Sequence, residues 1–391
     1  MTTKDTYITT LLEMIVELLD IPTSHYEKAT ERYHSLGEWL HRDQSTVAKL
    51  NPKVYSQGSF RYGTVVRPLI KSDEYDLDLV CEILLSKAAV TQKQVKNLLG
   101  AEIISYAEAH GFRDPAEEKI RCWRLNYADG VRFHMDILPS VPEDKHFIAL
   151  LQELGVPNEL AQLSVAITDK QHPKYAVLDP DWPRNNPRGF AGWFEGRMRK
   201  VADDRIKGMV LKRAYASIEQ VPPYEWKTPL QRSIQIFKRH RDMMFKRSPD
   251  LAPISMIITT LAAHSYEGET DLYQALSNII NKMPDFVRPS KPRISNPVNP
   301  AEDFADRWGT DARLERNFWA WHTQVRADLD NCIELLGTRQ LPDKVRRLFD
   351  VNLTSQHLDE LTKIGAIDTS ATKPSGPLIH VVSAPKPWRR D

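Results

Sequence analysis

Three aspartates are the residues whose spacing points most directly to chemistry. Asp76 and Asp78 are two apart in the stretch 74–83, where polar and apolar residues alternate as in a half-buried strand. Because side chains alternate across a strand, both carboxylates point to one face, about 6.6 Å apart along the backbone. Asp136 lies in a second predicted strand, 131–138. If these two strands are neighbours, the three carboxylates converge on one spot.

A cluster of three carboxylates needs a cation, because like charges at close range strongly repel one another. Mg²⁺ prefers hard oxygen ligands and commonly shares them with substrate phosphates. Two such ions about 3.5–4 Å apart can activate an attacking hydroxyl and stabilise a leaving pyrophosphate. We therefore expect Asp76, Asp78 and Asp136 to be catalytic and to hold two Mg²⁺ ions, or Mn²⁺ in their place. The competing interpretation is that Asp-x-Asp is the solvated face of an amphipathic strand.

Gly58 and Ser59 form a second feature, a turn between a predicted strand at 53–57 and a predicted short helix. Glycine permits close approach of the backbone, and serine at a helix start caps it. The free amides of such a turn bind anions, and the serine hydroxyl can donate to a phosphate oxygen. No Gly-Lys-Ser/Thr follows, which excludes a P-loop. A plain turn with a helix cap is the alternative, and the aspartates that follow favour phosphate binding.

The elements that position these residues change in character along the chain. Apolar residues recur at helical spacing over 8–19 and 26–40, and strands are predicted at 53–57, 74–83, 122–127 and 131–138 around a helix at 91–110. An Asp-Gly dipeptide between the last two strands indicates a hairpin. The Pro- and Asn-rich stretch 179–189 predicts a long loop. Further helices are predicted near 191–219, 229–247, 253–267, 270–283, 311–336 and 341–350.

These elements predict an α+β protein. We expect a mixed-sheet lobe with N-terminal helices at 1–190, a helical lobe at 191–367, and a flexible C-terminal tail at 368–391. A length of 391 residues agrees with two lobes, since it exceeds the usual size of one domain. We expect the active site in the cleft between the lobes.

Composition and charge narrow the class of function. The 53 basic and 52 acidic residues nearly balance, so we expect no obligatory duplex nucleic acid as a ligand. The three cysteines are far apart and form no CxxC pair, which argues against structural zinc and fits reduced thiols in the cytoplasm. Neither a signal peptide nor an apolar run of about 20 residues is visible in the sequence. We expect a cytoplasmic monomer with no membrane association.

The combined pattern resembles the polymerase-β-like nucleotidyltransferases, in which Gly-Ser is followed by Asp-x-Asp and then by a third acidic residue on a further strand. The flanking residues are similar to those of the bacterial CD-NTases, relatives of cyclic GMP-AMP synthase and oligoadenylate synthase. The similar stretches are 57–60, 75–79, 125–127, 134–139, 186–190, 229–232 and 237–242.

The resemblance implies condensation of nucleoside triphosphates, ATP first and GTP as a second candidate, into a cyclic di- or trinucleotide second messenger. Pyrophosphate would be released, and the signal would serve bacterial anti-phage defence. The nucleotide-binding residues implied by position are Gln57, Gly58, Ser59, Lys238 and Ser255.

Some of these assignments have competing interpretations. Lys238 belongs to a basic run that also fits a solvated helix face, and Ser255 also fits a plain helix N-cap. Met256 stands where the family pattern can place a base-stacking aromatic residue, which leaves Tyr75 and Tyr175 as open candidates.

Three other functions compete with cyclic nucleotide synthesis. A template-independent RNA-tailing nucleotidyltransferase would share the three aspartates, and so would a short antitoxin-type transferase that modifies a protein. A non-catalytic nucleotide-binding module would be expected to have lost a metal ligand, and all three aspartates are present. Some CD-NTases are conjugated through their C-terminus by a ubiquitin-transfer-like enzyme, and the tail of this chain is compatible with such a partner.

Overall fold

The computed structural model of the protein describes residues 3–69, 75–127, 133–198, 218 and 227–364. Its helices are α1 (Thr3–Leu19), α2 (Thr23–His41), α3 (Gly58–Tyr62), α4 (Gln92–Ala109), α5 (Lys145–Glu153), α6 (Asn158–Ala161), α7 (Pro187–Met198), α8 (Pro229–Met244), α9 (Ser255–Ser265), α10 (Leu272–Lys282), α11 (Ala312–Glu334), α12 (Leu341–Phe349) and α13 (Ser355–Lys363). Its strands are β1 (Lys53–Ser56), β2 (Tyr75–Glu82), β3 (Glu117–Glu118), β4 (Trp123–Tyr127), β5 (Phe133–Pro142), β6 (Val165–Ile167), β7 (Arg184–Asn185), β8 (Ser295–Asn296) and β9 (Asn299–Asp303).

Strands β1 to β7 form one mixed sheet, in the order β1-β2-β5-β4-β3, with β6 joining β5 to β7. The central pair, β2 and β5, is parallel, and the other pairs are antiparallel. A parallel pair needs a crossover connection, which here contains α4. The predicted α+β fold with a mixed sheet is therefore confirmed.

One face of this sheet packs against α2 and α4. Its buried side chains alternate with the aspartates along β2 and β5, as the two-residue period of a strand requires. They include Leu77 and Leu79 from β2 and Met135 and Ile137 from β5, all at most 1% exposed. Burying this apolar face turns the opposite face, with its carboxylates, away from that core.

A second core lies among α1 and helices α7 to α12. Helix α1 packs against α8 and α10 in this core, although it precedes the sheet in the chain. The lobe boundary at residue 190 stays a prediction, and the structure adds that α1 shares its core with the helical part. Within the described ranges, none of the helices is long and apolar enough to span a membrane.

Helix α8 is hydrogen-bonded to the C-terminal end of α3 and to the residues just after it. Three of its polar side chains donate to backbone carbonyls there, which satisfies carbonyls that a helix end leaves without partners. The bonds run from Gln231 to Tyr62, from Lys238 to Thr64 and from Gln235 to Val65, at 2.9, 2.9 and 2.6 Å. Helix α7 adds two buried ion pairs to the sheet side, Arg61–Glu195 and Arg188–Glu82.

Most predicted elements agree with the structure, and one does not. The long loop predicted at 179–189 is wrong in its second half, because β7 occupies Arg184–Asn185 and α7 begins at Pro187. Asn186 caps α7 by accepting a hydrogen bond from the Gly189 amide at 3.0 Å. The Asp-Gly hairpin, the end of the predicted helix 191–219 and the C-terminal tail lie outside the described residues.

Candidate active site

The parallel pairing of β2 and β5 brings the three aspartates together on one face of the sheet. In the register of these strands, Asp78 lies opposite Asp136 and Asp76 lies opposite His134. The neighbouring strand β4 places Arg124 opposite Asp136. The juxtaposition that the sequence predicted is therefore present, with a histidine and an arginine among the carboxylates.

Basic side chains hold two of the three carboxylates. The Arg124 guanidinium donates from Nε and Nη2 to the two oxygens of Asp136, both at 2.7 Å. His134 Nε2 lies 3.0 Å from Asp76 Oδ1, and this hydrogen bond lowers the pKa of Asp76. Planar guanidinium groups match carboxylates in this two-pronged way, so Arg124 also fixes the orientation of Asp136.

Asp78 is more buried than Asp76 and lies beside the negative charges of the other two aspartates. Burial and the neighbouring charges of Asp76 and Asp136 raise its pKa from 3.8 to about 7. A carboxylate shifted in this direction is stabilised by a bound cation or proton. The donor set is all oxygen and strongly anionic, which fits Mg²⁺ or Mn²⁺.

The side chains are not arranged as a finished metal site. Among the residues with described positions, no group of three or more His, Cys, Asp or Glu side chains has the geometry to hold a metal ion. The physical reason is that Asp136 and Asp76 are directed toward Arg124 and His134. Metal binding therefore requires these carboxylates to share their oxygens with the ion.

The Gly58–Ser59 turn lies directly against the second aspartate. Gly58 has φ of +65°, and a Cβ placed on it would lie 2.5 Å from Asp78 Oδ2. The Gln57 amide donates to the Asp78 backbone carbonyl at 2.8 Å. Glycine is needed here both for the left-handed backbone and for the close approach. The turn and Asp78 therefore form one local unit.

A cavity of about 680 Å³ opens beside this unit, between the sheet and helices α8 and α9. Ser59, Asp76, Lys238 and Ser255 line it, so the structure brings together residues from both parts of the chain. Tyr75 lines the same cavity and is braced by His25, whose Nδ1 lies 3.3 Å from the tyrosine hydroxyl. Tyr175 does not line it, so of the two base-stacking candidates only Tyr75 is in place.

The structure does not support the competing interpretations of Lys238 as a solvated residue and of Ser255 as a helix N-cap. Lys238 is only 6% exposed and donates to the Thr64 carbonyl at 2.9 Å, so it is not part of a solvated helix face. Burial lowers the pKa of Lys238 to about 7. The N-cap of α9 is Ile254, and Ser255 is the first residue of the helix, so the N-cap interpretation of Ser255 is wrong.

The sequence did not single out Arg124. Arg124 lies between the buried Trp123 and Leu125 on β4, and this alternation of polar and apolar residues was the one local sign of its position in the sequence. Its contact with Asp136 depends on strand pairing. Arg241 lines the cavity, whereas Arg239 turns to the Arg67 carbonyl and Arg247 is exposed.

The mixed sheet, the Gly58–Ser59 turn and the cleft are similar to those of the polymerase-β-like nucleotidyltransferases. Comparison with known proteins agrees. Residues 52–139 match the domain family described as cyclic GMP-AMP synthase DncV-like, nucleotidyltransferase domain. The chain is 29% identical over 313 residues to a c-di-GMP synthase of Roseivirga ehrenbergii, covering 78% of this chain and 74% of that protein. It is 24% identical over 341 residues to the cyclic dinucleotide synthase CdnG of Bradyrhizobium diazoefficiens, covering 81% and 74%.

Solved structures show the same fold. CdnG of Bradyrhizobium diazoefficiens in complex with GTP superposes with a TM-score of 0.62 at 22% identity, covering 91% of this chain and 98% of that one. The GTP-bound form of Vibrio cholerae DncV gives a TM-score of 0.51 at 15% identity, covering 91% and 87%. The chain is therefore similar to the CD-NTase nucleotidyltransferases in the sequence of its 52–139 domain and in its fold.

Proposed function

We propose that the chain condenses two nucleoside triphosphates into a cyclic dinucleotide. The observation that carries this proposal is the pairing of Asp78 with Asp136 beside Gly58, next to a cavity that Ser59, Asp76, Lys238 and Ser255 line. The named relatives, a c-di-GMP synthase and a cyclic dinucleotide synthase, support a two-unit product.

The chemistry consists of two successive transfers. A ribose hydroxyl of one nucleotide attacks the α-phosphorus of the other, the bond between the α- and β-phosphates breaks, and pyrophosphate leaves. The linear product then presents its own hydroxyl and remaining triphosphate for the second transfer, which closes the ring. Each transfer depends chiefly on positioning and on stabilising the developing negative charge.

Different residues serve metal binding, positioning and triphosphate binding. Asp76, Asp78 and Asp136 would hold the two Mg²⁺ or Mn²⁺ ions, which when bound supply positive charge for the attacking and leaving oxygens. Arg124 orients Asp136, and Gly58 lets the turn approach Asp78. We assign Gln57, Gly58, Ser59, Lys238 and Ser255 to binding of the triphosphate.

We propose GTP as the first substrate to test and ATP as the second. Two relatives support guanine, since one is named a c-di-GMP synthase and the other was solved in complex with GTP. The sequence alone placed ATP first. An anti-phage role, a cytoplasmic location, a monomeric state and C-terminal conjugation stay predictions from the sequence and its family resemblance.

The test is to incubate the chain with α-³²P-labelled ATP, GTP, CTP and UTP and Mg²⁺, then to treat with phosphatase and identify products by mass. We expect a phosphatase-resistant product with the mass of a cyclic dinucleotide. Asp76→Ala with Asp78→Ala should abolish it without unfolding the chain. The matched control, Glu27→Ala with Glu31→Ala on the exposed side of α2, should retain it. Linear tails on added RNA, or no product at all, would contradict the proposal.

A further inference from the structure

Arg241 and Asp242 form an ion pair inside the cavity that the mechanism above leaves without a role. Both line the cavity with Lys238 and Ser255. The guanidinium donates from Nε and Nη2 to a single oxygen, Asp242 Oδ1, at 2.8 and 2.6 Å. The pair is shielded, with the side chains 12% and 28% exposed. Because this shielded pair lies on the cavity wall, its guanidinium is a candidate to bind a ligand in the cavity.

The position of Arg241 is fixed by the elements around the cavity. Its Nη1 donates to the Ser255 hydroxyl at 2.9 Å and to the Pro253 carbonyl at 3.0 Å. Arg241 is also three residues after Lys238 on α8, so their side chains lie on one face of the helix. The guanidinium therefore lies where α8 meets the start of α9, next to two residues assigned to the triphosphate.

The charges of the cavity favour a polyanion at this end. Arg67, Lys238, Arg241 and Lys246 line it as cations, against the carboxylates of Asp76 and Asp242. The reacting α-phosphate must lie at the sheet aspartates, so groups on α8 and α9 face the later phosphates. Guanidinium forks bind phosphate oxygens as they bind carboxylates, with two parallel hydrogen bonds.

We propose that Arg241 binds the terminal phosphate of the nucleotide, and that Asp242 competes for the same guanidinium. This inference rests on the proposed function. Together the two residues set how strongly a triphosphate is preferred over a diphosphate. The distinction matters chemically, because a diphosphate cannot release pyrophosphate when its α-phosphorus is attacked. The terminal phosphate must displace the Asp242 carboxylate from the guanidinium or share the guanidinium with it.

The proposal makes two substitutions act in opposite directions. Arg241→Gln removes the phosphate ligand and leaves the Asp242 carboxylate unpaired beside the phosphate, so triphosphate binding weakens. Asp242→Asn keeps the size of the side chain but removes its charge, so the guanidinium is freed and triphosphate binding strengthens. A structural role for the ion pair would make both substitutions harmful, because each breaks the same pair.

The experiment measures binding by isothermal titration calorimetry with the full chain and Mg²⁺. The probes are 2′,3′-dideoxy GTP and 2′,3′-dideoxy GDP, which lack the attacking hydroxyls and so report binding without turnover. The control is Arg232→Gln, which alters an arginine on the same helix that pairs with Glu13 at 3.1 Å and does not line the cavity. Arg241→Lys keeps the charge without the fork and serves if Arg241→Gln does not fold.

We expect Arg241→Gln to lower the affinity for the triphosphate about 10- to 100-fold, as for loss of a charged hydrogen bond, with less than threefold change for the diphosphate. Arg241→Lys should give a smaller loss with the same selectivity, and Asp242→Asn a gain for the triphosphate. Arg232→Gln should change neither affinity. Equal losses for both probes, or a loss in Asp242→Asn, would overturn the inference. A wild-type chain that binds neither probe and makes no product would instead overturn the proposed function.

Discussion

Gly58 offers the most direct test of the geometry at the active site. In the change Gly58→Ala, the new methyl group would lie 2.5 Å from Asp78 Oδ2, where ordinary contact begins at 3.4 Å. The carboxylate or the turn must therefore move by about 0.9 Å, since the backbone at φ +65° leaves the methyl no other direction. Both partners of the contact belong to the proposed catalytic machinery.

The magnitude follows from that displacement. Misplacing a reacting group by about 1 Å lowers the rate about 100-fold, so we expect cyclic product to form about 100 times more slowly. The left-handed backbone adds a stability cost of roughly 1–2 kcal/mol for alanine. Gly111 provides the matched control, because it has the same φ of +65° and nothing within 4 Å of its added Cβ.

The assay compares the initial rate of cyclic product formation, by mass-identified chromatography, with the melting temperature of each variant. Gly111→Ala should lose stability and keep the wild-type rate, whereas Gly58→Ala should lose the rate as well. If Gly58→Ala forms product within threefold of the wild-type rate, the contact with Asp78 does not position the carboxylate and the reasoning is wrong.

Three further predictions concern the site and its supports. The pKa of Asp78 is raised from 3.8 to about 7, so the folded chain holds a proton that the unfolded chain has released. The contribution of Asp78 to the free energy of unfolding therefore falls as pH rises from about 4 to about 7. Without metal, Asp78→Asn should lack this fall, so its melting temperature should depend less on pH than that of the wild type. Identical curves of melting temperature against pH for the two proteins would contradict the shift. Lys238→Met should weaken triphosphate binding about 10- to 100-fold in calorimetry, and an unchanged affinity would make Lys238 a structural residue only. Gly100→Ala should cost about 1–3 kcal/mol in urea unfolding, because its Cβ would lie 2.3 Å from the Trp123 ring, whereas Gly196→Ala, with nothing within 4 Å, should be neutral or stabilising.

The local part of the site was readable in the sequence. Alternation along 74–83 places Asp76 and Asp78 on one face, because the side-chain period of a strand is two. Helical spacing likewise located most helices of the second core. The wrong loop prediction at residue 187 shows that local composition can mislead the assignment of secondary structure. Pro187 after the cap Asn186 is a helix-start signal, but the surrounding Pro and Asn residues favoured a loop.

The long-range part of the site was not readable in the same way. The contact of Gly58 with Asp78, and the pairing of Arg124 with Asp136, depend on which strands become neighbours and in which register. Periodicity within a strand carries no information about its partner. The same reason explains α1, whose apolar face was evident but whose core, shared with α8 and α10, was not.

The bonds from Gln231, Gln235 and Lys238 to the carbonyls at and just after the end of α3 have a consequence for engineering this chain. Because the acceptors are backbone carbonyls, these bonds do not depend on the side chains of the segment, whereas they do depend on the side chains of α8. A graft of the Gly58–Ser59 turn from a relative would therefore have to bring α8 with it. Conversely, the sheet expressed without α8 would expose those carbonyls to water and lose three of the hydrogen bonds that hold the turn in position.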